Sequence, residues 1–435
     1  MSGTITAGKI LLTDNGNIQV ISGVNGNSDA YDRLRVSEPN SLFQIHHVFG
    51  KEADFIDEIT SGSGTSTYNT NSYIQMALAD SGTGKVIRQS FEYVPYQLGK
   101  SKIMFFTGVM ETSGGVTNSV SRIGSFDSTT EKTDVSGTGN GHFFELDGTT
   151  MYVVERLNDS DTRVAQSSWN VDILDGNGSS ALTVSDWSKA HLFVIEIQWL
   201  GVGCVKMGLY INGIFREVHR FNHSGIGSPS SSGIQTPYVK YAKLPIRYEI
   251  SSSSAVNSEM RMICSCVMTE GRFNPIGNLY SASNISAIAI SSSSTFAPII
   301  SIRLKETEPY NRMNLVAKSL NVINTSGGSG NFLHYRLFIL PNSDALTGAS
   351  WTDEDSDNSS AEFDVSASAV DVSSSIHITS GYIEKGGHIT FNFDITERPK
   401  IYSSITGKSK VLCLAGVKVS SNCSAYATID WIEIK

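Results

Sequence analysis

Alternation of apolar and polar side chains is the dominant pattern along this chain, and it is clearest between His191 and His223. Phe193, Ile195, Ile197 and Trp199 fall on one side of an extended backbone, and Val194, Glu196 and Gln198 on the other. A two-residue period of this kind predicts a strand with one face in a core and the other, Glu196 and Gln198 included, toward solvent. Leu200-Gly201-Val202-Gly203 turns the chain, Val205 to Ile211 returns, and Asn212-Gly213 precedes a third strand from Phe215 to Phe221. Asn-Gly is the strongest short hairpin signal, because both residues accept positive φ. A three-stranded meander cannot bury its own apolar face, so a second layer is expected over it.

Similar alternation predicts strands over 73–79, 85–93, 101–110, 117–126, 143–146, 151–156, 162–169, 244–250 and 261–268. A turn of helix capped by Asp186 is expected at Ser185–Ser188. Further strands are expected over 296–305, 315–323, 332–340, 362–370, 376–378, 390–395, 411–419 and 427–434. No run of helical period exceeds about two turns. The fold expected is therefore all-β: an N-terminal arm (1–40), a large antiparallel jelly-roll-like β-sandwich (41–280), a Ser-rich linker (281–294) and a second, smaller C-terminal β-sandwich (295–435). The arm carries Arg33, Leu34, Arg35 and Val36, candidates for docking either on the chain's own body or on a neighbouring subunit.

Composition supports this reading: only 17% of 435 residues are charged, and Ser, Thr, Gly and Asn take up the difference. A net charge of -9 argues against nucleic acid as the main partner. No apolar run approaches the roughly 20 residues that cross a bilayer, so membrane residence and signal-peptide export are not expected. Five widely spread cysteines predict buried free thiols rather than a disulfide scaffold.

Candidate chemistry is sparse. Asp353, Glu354, Asp355 and Asp357 resemble the opening of a calcium loop, but Asn358 occupies the sixth position and Glu362 comes too early; an exposed acidic loop is expected over 352–362. His46-His47 point oppositely in a strand, and His219 and His223 sit at a strand end rather than on a helix, so no metal is expected at either pair. Glu196 and Gln198 are ligand-binding candidates for a concave sheet, and Trp351, beside the acidic loop, is the best candidate for an exposed stacking contact. No nucleophile elbow, zinc helix or phosphate loop occurs, and neither catalytic residue nor cofactor is expected.

Several ordered segments resemble a family of virion structural proteins of tailed bacteriophages and large DNA viruses: DAYDRLRVSEPNSLFQ (29–44), VIRQSFEYVPYQLGKS (86–101), SRIGSFD (121–127), GHFFELDG (141–148), VAQSSWNVDILDG (164–176) and FVIEIQWLGVGCVKMGLYING (193–213). The likeness spans about residues 29–275; Tyr31-Asp32 stands where the family usually has Phe-Gly, and Cys204 where arginine is common. The resemblance implies a minor capsid, tail or fibre-associated protein in the virion, with other virion proteins as partners and a homo-oligomer, most plausibly a trimer. It brings no catalytic residues. The tryptophan strand and YING hairpin are also similar, more weakly, to concanavalin and laminin-G jelly rolls, which implies an alternative role as a receptor- or glycan-binding adhesin on a virion appendage. A polysaccharide depolymerase is the remaining alternative.

Overall fold

At the Asn212-Gly213 hairpin the backbone adopts φ of 53° and 76°, the left-handed pair that the dipeptide favours. The computed structural model describes residues 10–12, 18–20, 29, 30, 35, 37–132, 138–225, 236–274, 277–325, 331–394 and 398–434. Arg33, Leu34 and Val36 lie outside the described residues. The chain divides into two compact units, 1–90 with 94–128 and 138–274, and 91–93 with 129–137 and 275–435.

In the first unit, β1 (Ile10–Leu12) and β2 (Ile18–Val20) pair with each other. There follow β3 (Pro39–His46), β4 (Ile56–Gly62), β5 (Gly64–Asn69), β6 (Tyr73–Leu78), β7 (Gly84–Ser90), β8 (Lys102–Val109) and β9 (Ser119–Phe126). Next come β10 (Gly141–Asp147), β11 (Thr150–Leu157), β12 (Ser160–Ala165), β13 (His191–Ile197), β14 (Cys204–Ile211), β15 (Ile214–Asn222), β16 (Ile246–Ser252) and β17 (Ser258–Glu270). A seven-stranded sheet runs in the order β12-β11-β10-β9-β16-β7-β4. An eight-stranded sheet runs β15-β14-β13-β8-β17-β6-β5, with β3 added on β17. All these pairings are antiparallel.

The core between the two sheets is built by alternate residues of both. Met104, Phe106, Phe193, Ile195, Ile197, Met207 and Leu209 come from the eight-stranded sheet, and Ile123, Phe144, Val153, Tyr248 and Ile250 from the seven-stranded one. At roughly 25 cal/mol per Å² of apolar surface buried, side chains of this size supply the main driving force for closing the sandwich.

The second unit is again two antiparallel sheets over one core, with strands Gly277–Ser283, Cys423–Ile434, Asn314–Asn324 and His388–Asn392 in one. Ala361–Asp364, Ala297–Leu304, Val411–Lys418, Phe332–Leu340 and Ile376–Glu384 run consecutively in the other. Ile300, Ile302, Leu320, Leu337, Leu414, Ile429 and Trp431 pack between them. Where a linker was expected over 281–294, the chain instead forms the end of strand Gly277–Ser283 and a short strand Ile288–Ile290. Both pair with Cys423–Ile434, whose long backbone supplies the partners that a Ser- and Ala-rich composition does not advertise. The expected helical turn at 185–188 is an Asx turn, in which Asp186 Oδ1 accepts from the Ser188 N–H at 3.0 Å. Among the described residues the only helical pieces are three short 3₁₀ turns, and no helix is long and apolar enough to cross a membrane.

Candidate binding groove

The residues of β13 that face away from the core are not open to solvent. Glu196 is only 1% exposed, and Val194 beside it is fully buried, so the expected solvated face is covered there. Asp29, Ala30 and Arg35 lie over it. Ala30 N–H donates to Glu196 Oε1 at 2.7 Å, Lys206 Nζ donates to the Asp29 carbonyl at 2.8 Å, and Cys204 Sγ lies 3.0 Å from the Ala30 carbonyl. Arg35 then bridges two carboxylates, Glu196 and Glu270, the latter at 2.7 Å. Arg35, a candidate for subunit contact, thus has its guanidinium engaged within its own chain.

Burial pushes the Glu196 carboxyl up, against the opposing charges of Arg35 and Lys206 and the Ala30 N–H. Removing a partner from such a buried ionic cluster costs more than the cluster contributes to stability, because the remaining charge stays desolvated. Here the cluster fixes where Ala30 and Arg35 lie, and the uncovered part of the sheet begins beyond Arg35.

Beyond Arg35 the outward face is open. A groove of about 260 Å³ is lined by Arg35, Ser37, Ile103, Phe105, Tyr210, Phe215, Met268 and Glu270, with Pro39 at its edge. Alternation explains this set: Ile103 and Phe105 of β8 lie opposite Met268 and Cys266 of β17, outward from the buried Met104 and Phe106. Phe105 and Tyr210 meet at 6.1 Å between ring centroids, as do Tyr210 and Phe215. Phe215 lies over Gly208, whose missing side chain leaves room for the ring: a Cβ there would stand 2.6 Å from Phe215 Cε2. Tyr210 remains 41% exposed.

The result is an aromatic wall with an Arg–Glu–Ser polar end, surfaces whose chemistry is suited to ring stacking and to hydrogen bonding respectively. Ser37 Oγ donates to Glu270 Oε2 at 3.0 Å, and with the two ion pairs of Arg35 this ties the polar end together.

The other sequence candidates lie elsewhere. Gln198 is half-buried at the end of β13, its amide oxygen 3.7 Å from Cys204 Sγ. Trp351 belongs to the second unit, where it is half-buried against a small apolar cluster and the Arg303 guanidinium sits 4.3 Å from its ring centre. The acidic loop is organised by Asp355, which accepts from the backbone N–H groups of Asp357 and Asn358, while Lys305 pairs with Asp353 at 3.2 Å. No group of three or more potential metal-ligating side chains occurs among the described residues. His223 and His142 both direct Nε2 to Glu155 Oε2, at 3.0 and 3.2 Å, an arrangement that sequence spacing did not suggest. The aromatic lining of the groove was present in the alternation of KIMFFTGV and GLYI, but nothing local marked which outward rings stay uncovered.

No protein-family model matches the chain, and no curated protein matches it. Among solved structures it is similar to peanut lectin with a bound 9mer peptide, at 13% identity and a TM-score of 0.32, covering 54% of this chain and 98% of that one. It is also similar to the endo-β-1,4-glucuronan lyase of the fungus Trichoderma reesei, at 11% identity and a TM-score of 0.31, covering 54% and 97%. A third, the binding domain of botulinum neurotoxin serotype D/C, has 11% identity and a TM-score of 0.31, covering 87% and 94%. Likenesses at this level carry nothing over to this chain, and its architecture rests on the strand order described above: a jelly-roll-like β-sandwich and a second antiparallel β-sandwich.

Proposed function

We propose that the chain is a receptor- or glycan-binding module, with its ligand seat on the outward face of the eight-stranded sheet. The observation that carries this reading is the open aromatic wall Phe105–Tyr210–Phe215 ending at Arg35, Ser37 and Glu270. Aromatic rings at a sheet surface stack on the apolar faces of sugar rings, and a charged end sets orientation. The charged groups at the seat are committed to one another, which favours holding a ligand over transferring its protons. A glycan array with the intact chain tests this directly. The expected result is a defined set of hits lost by Tyr210→Ala with the fold unchanged by circular dichroism; an empty array, or hits indifferent to Tyr210→Ala, contradicts it.

A second reading, resting on the resemblance of ordered segments over 29–275 to virion structural proteins, is a minor capsid, tail or fibre-associated component. The two readings combine in a homo-oligomer, a trimer, displayed on a virion appendage. Light scattering on the purified chain checks the oligomer: a stable monomer at high concentration contradicts it.

A further inference from the structure

The second unit carries a basic group without a counter-charge. Strand Phe332–Leu340 alternates Leu333, Tyr335 and Leu337 into the core with His334 and Arg336 outward. Among the described residues Arg336 forms no ion pair or hydrogen bond, and its Nε is buried without a partner. Across the sheet its neighbours in register are small, Ser380 on one side and Ala415 on the other. Aromatic side chains flank it instead. The guanidinium lies 5.2 Å from the centre of the Phe296 ring, and Phe296 meets His334 edge-on at 6.0 Å. His334 stacks on Tyr382 with centroids 4.6 Å apart and planes inclined by 17°. Tyr382 is 66% exposed, so its other face is open to a ligand.

Arg336 is half-buried with only its Nε shut away from water, and a guanidinium that faces no carboxylate keeps its remaining donors available to an anionic ligand. Its planar fork matches a carboxylate in two parallel hydrogen bonds. His334 and Arg336 are two residues apart on one face, about 6.6 Å along the strand, a span of the order of one sugar ring. Burial, Arg336 and His377 push the His334 imidazole down, which favours its uncharged form. Neighbouring outward positions offer Glu384 beyond Tyr382 and His377 beside Phe338, and neither pairs with Arg336.

We infer that this face of the second unit is a separate binding site for an acidic sugar, with the pyranose on Tyr382 and its carboxylate on Arg336. The site is distinct in ligand chemistry from the groove of the first unit, which has its own carboxylates at the polar end. Titration calorimetry of the full chain with tetragalacturonate and with 3′-sialyllactose, each beside its carboxyl-reduced counterpart, tests the inference. At least one acidic probe is expected to bind about tenfold or more tightly than its reduced form. Arg336→Gln should abolish that difference, Arg336→Lys restore part of it, and Tyr382→Ala weaken both forms, while Tyr210→Ala in the groove leaves it intact. Failure of both acidic probes to bind, equal affinity for reduced forms, or an Arg336→Gln protein that keeps the preference would each overturn the inference. Acidic binding lost only in Tyr210→Ala would overturn it too, while leaving the groove reading standing.

Discussion

The outward faces of the first unit's two sheets obey the same alternation and reach opposite ends. On the seven-stranded sheet, outward positions of adjacent strands form a ladder of ion pairs: Arg122 to Glu145 and to Glu249, both at 2.7 Å, and Arg163 to Glu145 and Asp147 at 2.6 and 2.7 Å. Arg247 donates to Glu249 at 2.9 Å. The arginines also roof the rings between them, Arg156 lying 5.0 Å from Phe143 and Arg247 5.4 Å from Phe126. Phe126, Phe143 and Val154 are fully buried there. On the eight-stranded sheet the outward ion pairs are scattered, Arg35 with Glu196 and Glu270 near one end of β17 and Arg261 with Glu259 near the other, and aromatic and aliphatic side chains between them are left open. A face whose charges cancel each other and cover its rings has nothing left for a ligand.

Breaking the ladder should cost the most. Glu249→Gln leaves Arg122 and Arg247 without their shared carboxylate, and about 3 kcal/mol of stability should be lost in urea unfolding. A loss below about 0.5 kcal/mol would mean the ladder is merely superficial. Next, Glu196→Gln removes the anchor of Ala30 and Arg35. It should cost about 1–2 kcal/mol and raise hydrogen exchange at Ala30, without altering exchange in β10 or β11. Uniformly raised exchange would instead make Glu196 part of the global core.

Acid should separate the two sheets further. His47, just past β3, and His219, in β15, are both pushed down to about 4, chiefly by burial. Both are neutral when folded, while the unfolded chain takes up protons near pH 6.5; their contribution to stability is therefore lost progressively as pH falls from about 6.5 to about 4. On the other sheet Arg247 and Arg122 outweigh the burial that pushes the Glu249 carboxyl up, and hold it far below the usual carboxylate range. Its contribution, present above about pH 4.5, is lost only in strong acid. His219→Gln should flatten the stability profile between pH 6.5 and 4, and an unchanged slope would remove His219 from the explanation. Smallest in stability is Tyr210→Ala, expected to change unfolding by no more than about 0.5 kcal/mol while reducing ligand affinity about tenfold.

How much of this was legible depended on the range of the interaction. The central meander was readable because alternation and the Asn-Gly turn are local, and β13, β14 and β15 fall within a residue or two of the expected strands. The fate of Glu196 was not, since its cover comes from residues over 160 positions earlier and leaves no trace in the strand itself. Strand pairing hid in the same way at 281–294, where the partner backbone is Cys423–Ile434. Trp351 read as an exposed ring because its loop is polar, yet Arg303 and the neighbouring apolar cluster half-bury it. Arg336 and His334 were visible as polar residues in an apolar strand; that no carboxylate meets Arg336 is a property of the assembled sheet.

Methyl NMR of the selectively labelled chain, titrated with the strongest glycan found on the array, tests the central claim most directly. The account predicts shift changes at Ile103 and Met268, which line the groove, with Ile87 and Val154 of the seven-stranded sheet unmoved. Changes centred on Ile87 and Val154, with Ile103 and Met268 silent, would contradict it.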